Sequence, residues 1–136
     1  SLRKNMKIRI YYEDTDAGGI VYHANYIKFC ERARSEMFFS AGMDFDESGY
    51  FVVSEIAAKF TRPAILGDLL EIRSNLSELG KVSVTLEQAI YRVGRLNETC
   101  EDELVFKAKI KLAYLAHGKP RKFSTQIAEF FPARLR

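Results

Sequence analysis

The chain is expected to fold as an α+β domain in which one long helix packs on one face of an antiparallel sheet of about five strands. Three observations predict this. A short alternating segment is followed by a helical stretch of four to five turns, and then by four consecutive strand-like segments. The turns between the later segments are short, which favours antiparallel pairing. The length of 136 residues makes a single domain, 1–136, at roughly 100–200 residues per domain, and leaves no room for a separate cofactor-binding domain.

In residues 6–12, Met6, Ile8, Ile10 and Tyr12 alternate with Lys7, Arg9 and Tyr11, the pattern of a half-buried strand. Residues 13–23 hold turn formers (Asp14, Asp16, Gly18, Gly19) together with Ile20, Val21 and Tyr22. Asn25 is placed to N-cap a helix over 26–41. Its apolar positions Tyr26, Cys30, Ala33, Met37 and Ala41 recur at spacings of three and four, flanked by Ile27, Phe29 and Phe38. Lys28, Glu31, Arg32, Ser35 and Glu36 form the polar side, and Gly42 stands where a C′ glycine ends a helix.

Strands are expected over 50–61, 69–79, 82–93 and 104–115. In the third, Val82, Val84 and Leu86 share one phase and Ala89, Tyr91 and Val93 the other, so a bulge is expected between the two sets. Residues 94–103 read as a polar loop, Pro120 as the end of the sheet, and 124–131 as a short terminal helix.

The net charge of +3 lacks the dense basic footprint of a nucleic-acid binder. Its distribution is uneven. Glu98, Glu101, Asp102 and Glu103 form an acidic patch, and Lys107, Lys109, Lys111, Lys119, Arg121 and Lys122 follow with no acid among them. Such a run is either a solvated strand face or a surface facing a ligand's phosphates. Two cysteines, Cys30 and Cys100, and two histidines are scattered singly, giving neither a disulfide framework nor a metal signature. Cys30 reads as a small core residue. No apolar run approaches the roughly 18 residues of a membrane span. The basic N-terminus lacks the apolar segment of a signal peptide, so a reduced, cytoplasmic location is expected. Ten Phe and seven Tyr are a large apolar load for so small a core and suggest burial between subunits.

Nucleophile elbows, phosphate loops and dinucleotide fingerprints are absent. Chemistry concentrates instead in residues 11–26, where phenols, three carboxylates, an imidazole and two glycines gather at a helix start. The first turn of a helix offers unpaired N–H donors and a partial positive charge, which suit a developing oxyanion. A nearby carboxylate serves as base or nucleophile.

The run Tyr12-x-Asp14-Thr15-Asp16-Ala17-Gly18-Gly19-Ile20-Val21-Tyr22-His23-Ala24-Asn25-Tyr26 continues into Glu31-Arg32-Ala33-Arg34. With the later Phe60-x-Arg62-Pro63-Ala64 and Gly67-Asp68, it resembles the signature of the YbgC-type and 4-hydroxybenzoyl-CoA thioesterases of the hotdog-fold superfamily. The likeness covers most of the chain. It implies a long central helix wrapped by an antiparallel sheet, and subunits paired edge to edge as a dimer or a dimer of dimers with active sites at the interface. It implies hydrolysis of acyl-CoA to free acid and CoA without a metal or cofactor, with acyl carrier protein as a further partner.

By the same resemblance, Asp16 is the catalytic carboxylate, as nucleophile or as base for water. His23 orients the thioester or the water, and Tyr12 orients Asp16 or the substrate. Gly18, Gly19 and Tyr22 lie against the substrate. Without the resemblance Asp16 reads as a turn cap, His23 as a structural histidine and Tyr12 as a core residue. By charge and placement near strand ends, Lys59, Arg62, Lys119, Arg121 and Lys122 are candidates for the CoA phosphates. Asp14 is expected to brace the loop, Glu31, Arg32 and Arg34 to form solvated or inter-subunit ion pairs, and His117 to be a surface loop residue. Two other functions stay open on these residues: a hotdog acyl dehydratase or hydratase, and a non-catalytic module binding acyl groups or acyl carrier protein.

Overall fold

The structure is a computed structural model that describes residues 5–135; the basic residues 1–4 of the N-terminal reading lie outside that range. The elements are β1 (Met6–Arg9), a 3-10 turn (Tyr12–Asp14), α1 (His23–Ser40), β2 (Tyr50–Phe60), β3 (Asp68–Leu79), β4 (Ser83–Arg95), β5 (Glu98–Ala116), β6 (Lys119–Pro120) and α2 (Thr125–Leu135). All strands pair antiparallel in one sheet of order β1-β3-β4-β5-β2, with β6 beside β5. The α+β architecture is as expected, with a sixth strand of two residues at Pro120. No helix among the described residues is long and apolar enough to cross a membrane.

Burial follows the two periodicities. Leu70 and Ile72 on β3, Val84, Leu86 and Ile90 on β4, and Phe106, Ala108, Ile110, Leu112 and Tyr114 on β5 are buried at alternate positions. α1 meets them with Tyr26, Phe29, Cys30, Ala33 and Phe38. Tyr26 stacks on Phe106 with ring centroids 5.3 Å apart, and Phe38 stacks on Phe51 at 5.4 Å. α2 brings Phe130 and Phe131 against Phe38. Most rings are therefore accommodated within one chain. Tyr11, Tyr12, Tyr22, Phe39 and Phe60 are the aromatic residues left exposed.

Several boundaries differ from expectation. The strands do not follow chain order, because β2 pairs with β5, from Tyr50↔Leu115 to Phe60↔Phe106. The β2–β3 connection is thus a crossover rather than a hairpin. β1 ends at Arg9, so Tyr12 leaves the inward face and enters the 3-10 turn. α1 starts at His23, with Tyr22 as N-cap residue. Asn25, displaced from that role, donates its side-chain N–H to the Asp14 carbonyl at 2.9 Å.

In β4 the inward phase runs unbroken through Gln88 to Ile90, and the pairing shifts just after, between Ile90 and Tyr91. The polar side chain of Gln88 hides this alternation. Residues 94–103 form the end of β4, a two-residue turn with Leu96 at φ 52°, and the start of β5. Cross-strand ion pairs support that part of β5 where apolar residues do not: Arg92 with Glu103 at 3.2 Å, and Arg73 with Asp102 at 2.6 Å. α2 continues past Pro132 to Leu135, whose side chain is buried.

Arg34 is not in a solvated or inter-subunit ion pair. It is buried and donates to Gln88 Oε1 at 2.9 Å. Gln88, fully buried, donates in turn to the Cys30 carbonyl at 3.1 Å and to Ser74 Oγ at 3.0 Å. Desolvation presses the Arg34 pKa below its ordinary value, but a guanidinium remains charged at neutral pH. Burial pushes the Cys30 thiol up to about 12. It carries no thiolate at neutral pH and serves as core, as expected.

Candidate active site

The segment between β1 and α1 is closed by its own hydrogen bonds. Asp14 braces it as expected: its Oδ2 accepts the Tyr11 N–H at 2.9 Å, and its carbonyl accepts the Tyr22 N–H at 2.9 Å. Thr15 Oγ1 donates to the Tyr12 carbonyl at 2.8 Å. The chain then reverses over Asp16–Gly19. The Gly19 N–H donates to the Asp16 carbonyl at 3.0 Å, and the Gly18 N–H donates to Asp16 Oδ1 at 2.8 Å. Gly19 takes φ 82°, where only glycine is unstrained. The Asp16 carboxylate is exposed, with one oxygen position set by the backbone of its own turn.

The β2–β3 crossover runs alongside. Val21 N–H donates to the Ala64 carbonyl at 2.9 Å, Ile20 bridges Ile65, and the Ala64 N–H donates to the Tyr26 hydroxyl at 3.2 Å. The far end of the crossover is clamped by Asp68, which is buried. Its Oδ2 accepts the Ile65 N–H at 2.9 Å and its Oδ1 pairs with Arg95 at 3.1 Å. This gives the Gly67-Asp68 pair a structural task.

Between loop, helix start and crossover lies a cavity of about 300 Å³ lined by Ile20, Val21, His23, Tyr26, Phe60, Thr61, Arg62 and Pro63. The His23 imidazole lies 4.6 Å from the Tyr22 ring and 6.2 Å from the Phe60 ring, centroid to centroid. The first N–H groups of α1, which have no intrahelical acceptor, belong to His23 and Ala24, since the Asn25 N–H donates to the Tyr22 carbonyl at 2.9 Å. A cavity with apolar walls, an imidazole and a helix N-terminus can hold a polarised carbonyl.

Of the expected site residues, His23 and Arg62 line this cavity. Asp16, Gly18, Gly19 and Tyr22 sit in the adjoining loop, and Tyr12 is 81% exposed. Arg62 also stands 3.7 Å from Glu103. Lys59 is not with them: it lines a separate depression with Lys107 and Lys109. Arg121 donates to the Ser48 carbonyl, and Lys119 lies in β6, both away from the cavity lining. His117 is in the β5–β6 turn at φ 50°, a surface position as expected. Sequence reasoning did not single out Tyr26 or Pro63 as cavity walls. The signal was present in the Pro63-Ala64 run, whose backbone holds the loop.

A family model described as the thioesterase superfamily matches residues 18–99. The acyl-CoA thioesterase YbgC of Helicobacter pylori strain 26695 is 48% identical over 112 residues, 81% of this chain and 84% of that protein. The acyl-CoA thioester hydrolase YbgC of Escherichia coli O6:H1 is 40% identical over 113 residues, covering 75% and 84%. A crystal structure described as a probable thioesterase from Bartonella henselae superposes with a TM-score of 0.74 at 34% identity, covering 89% of this chain and 97% of that one.

Proposed function

Because this chain belongs to the thioesterase superfamily and has its hotdog fold, we propose that it hydrolyses acyl-CoA thioesters to the free acid and coenzyme A. The observation that carries the reading is the placement of the Asp16 turn beside a helix start whose His23 lines an apolar cavity. In the proposed reaction the acyl group lies against Phe60 and Ile20, and the thioester oxygen is drawn to the first N–H groups of α1. Negative charge builds on that oxygen as the carbonyl carbon becomes tetrahedral, where the helix dipole stabilises it.

Asp16 acts in one of two ways. As base, it takes a proton from water as the water oxygen attacks; the C–S bond then breaks and the thiolate leaves. As nucleophile, its free oxygen attacks, coenzyme A leaves, and water hydrolyses the resulting anhydride. His23 orients the thioester or the water, and Tyr12 and Tyr22 cover the approach. A carboxylate and water suffice for this chemistry, so the proposal includes no metal or cofactor. The test is a hydrolysis screen over short, long and aromatic acyl-CoAs with EDTA present. Turnover of at least one class is expected, and no turnover of any would overturn the reading.

The neighbouring glycines separate local from catalytic effects. A Cβ at Gly18 would stand 3.2 Å from Asp16 Oδ1, whereas a Cβ at Gly19 meets nothing within 4 Å but must accept φ 82°. Gly18→Ala is expected to lower kcat about tenfold by displacing the carboxylate. Gly19→Ala is expected to cost about 1 kcal/mol of stability with a smaller effect on kcat. Equal kcat for Gly18→Ala and wild type, measured beside thermal unfolding, would contradict a reacting role for the pinned carboxylate.

The working unit in this reading is a homo-oligomer. β2 is an 11-residue edge strand whose Val52, Val53, Ile56 and Phe60 are exposed. A long apolar edge of this kind is a template for a further strand. A second copy of β2 running antiparallel would continue the sheet and cover the open side of the Phe60 cavity. Sedimentation at micromolar concentration is expected to give a dimer or a dimer of dimers; a monomer would contradict it.

A further inference from the structure

The loop between β1 and α1 leaves the sheet and returns to it at one place. On departure, the Ile10 N–H donates to the Asp68 carbonyl at 2.9 Å, and the Gly67 N–H donates to the Ile10 carbonyl at 3.0 Å. On return, Ile20 bridges Ile65, and the Val21 N–H donates to the Ala64 carbonyl at 2.9 Å. Both feet of the loop therefore stand on residues 64–68. The Asp16 turn hangs from the second foot, because the Asp16 N–H donates to the Ile20 carbonyl at 2.9 Å. Asp68 closes the segment that carries the feet. Its N–H donates to the Ile65 carbonyl at 3.1 Å, and its Oδ2 accepts the Ile65 N–H at 2.9 Å. Gly67 takes φ 88° between them. The Asp68 carboxylate is 1% exposed, so water cannot take its place on the Ile65 N–H. Its other oxygen meets Arg95 Nε at 3.1 Å, and Arg95 is half-exposed. Neither Asp68 nor Arg95 lines the His23 cavity.

We propose that Asp68 is a positioning residue for the reaction at Asp16. Its carboxylate fixes the span between the two feet of the loop. The span in turn fixes where the Asp16 turn sits relative to the start of α1. The inference rests on the hydrolase reading for the reaction it serves, whereas the placement itself is a property of the loop. Asp68 touches no reacting atom. It acts through the Ile65 N–H, the Ile20–Ile65 bridge and the bond from the Asp16 N–H to the Ile20 carbonyl. A misplacement of about 1 Å in a reacting group can cost about 10²-fold in rate, so a small relaxation of the span is enough to be felt.

The Gly18 and Gly19 N–H groups both donate to Asp16, so their signals in a ¹H–¹⁵N spectrum of the labelled chain report the turn without substrate. Asp68→Ala removes the acceptor of the Ile65 N–H and the partner of Arg95. It is expected to displace both glycine signals and to lower kcat on an acyl-CoA about tenfold, with KM little changed. Asp68→Asn keeps an acceptor for the Ile65 N–H and loses only the ion pair, as does Arg95→Gln. Both are expected to displace the same signals in the same direction by less, and to keep at least about a third of kcat. Val84→Ala, at the other end of β4, truncates a buried core side chain and is expected to lower Tm while leaving both signals and kcat as in wild type. Where Asp68→Ala does not fold, Asp68→Asn and Arg95→Gln against Val84→Ala decide. Glycine signals in the folded Asp68 and Arg95 variants that match those of Val84→Ala overturn the proposal. Displaced signals in a protein that hydrolyses no thioester leave the Asp68 clamp standing and overturn the hydrolase reading instead.

Discussion

Asp16→Asn is expected to lower kcat/KM on every acyl-CoA substrate by about 10²–10⁴, the range ascribed to a positioned acid or base, while thermal stability stays within about 1 kcal/mol of wild type. The substitution is nearly isosteric. An asparagine oxygen can still accept the Gly18 N–H that Asp16 Oδ1 accepts at 2.8 Å, so the turn and the start of α1 persist. What is lost is the negative charge, and with it both basicity and nucleophilicity. The donors at the helix start remain and account for residual turnover. If Asp16 were only a turn cap, the amide would be silent in both measurements, and undiminished turnover would sink the assignment. Single turnover in ¹⁸O-water tests the nucleophilic route: label found in Asp16 identifies an anhydride hydrolysed at the Asp16 carbonyl, because base catalysis places label only in the product acid.

The largest expected effect on stability lies in the core, at Gln88. Gln88→Leu removes the acceptor of Arg34 Nη1 and the donor to the Cys30 carbonyl and Ser74 Oγ. A charged donor beneath the sheet would lose its hydrogen bond where water cannot replace it. The cost is expected to be about 3 kcal/mol or more, a fall in Tm of roughly 10 °C for a domain of this size. Adding Arg34→Met should recover most of the loss, because replacing both members of a buried polar pair by apolar groups is far less costly than stranding one. Urea unfolding of the two single variants and the double variant gives the coupling between them. Additive losses would show that the two side chains do not act as a pair.

The helix and the strands were legible in the sequence wherever burial repeats at a fixed period. β5 alternates from Phe106 to Tyr114, and α1 repeats Tyr26, Cys30 and Ala33. Legibility failed where polar residues occupy inward positions. Gln88 and Arg34 read as surface or phase slip because their burial depends on each other, and no one-dimensional pattern contains that partnership. It failed again at β2, whose pairing with β5 joins residues up to 65 apart in the chain, as in Tyr50↔Leu115. The candidate site was legible as a list, because Asp16, His23 and Arg62 stand in recognisable motifs. Its shape was not, since the cavity exists only where the crossover from β2 meets the helix start. Lys59 lies apart from the His23 cavity for a simple reason: one residue along a strand reverses the face.

The crossover has a further consequence for how such a site changes over time. Its frame is tied by main-chain groups, the Val21 N–H to the Ala64 carbonyl and the Ile20–Ile65 bridge, with the Tyr26 hydroxyl as a side-chain addition. The walls that an acyl group would touch, Ile20, Phe60 and Pro63, contribute side chains to the cavity without carrying the proposed catalytic groups. Frame and lining are therefore separable variables. Exchange of wall residues can reshape the room for the acyl chain while the carboxylate, imidazole and helix start keep their places, so one scaffold can drift between substrates without rebuilding its chemistry.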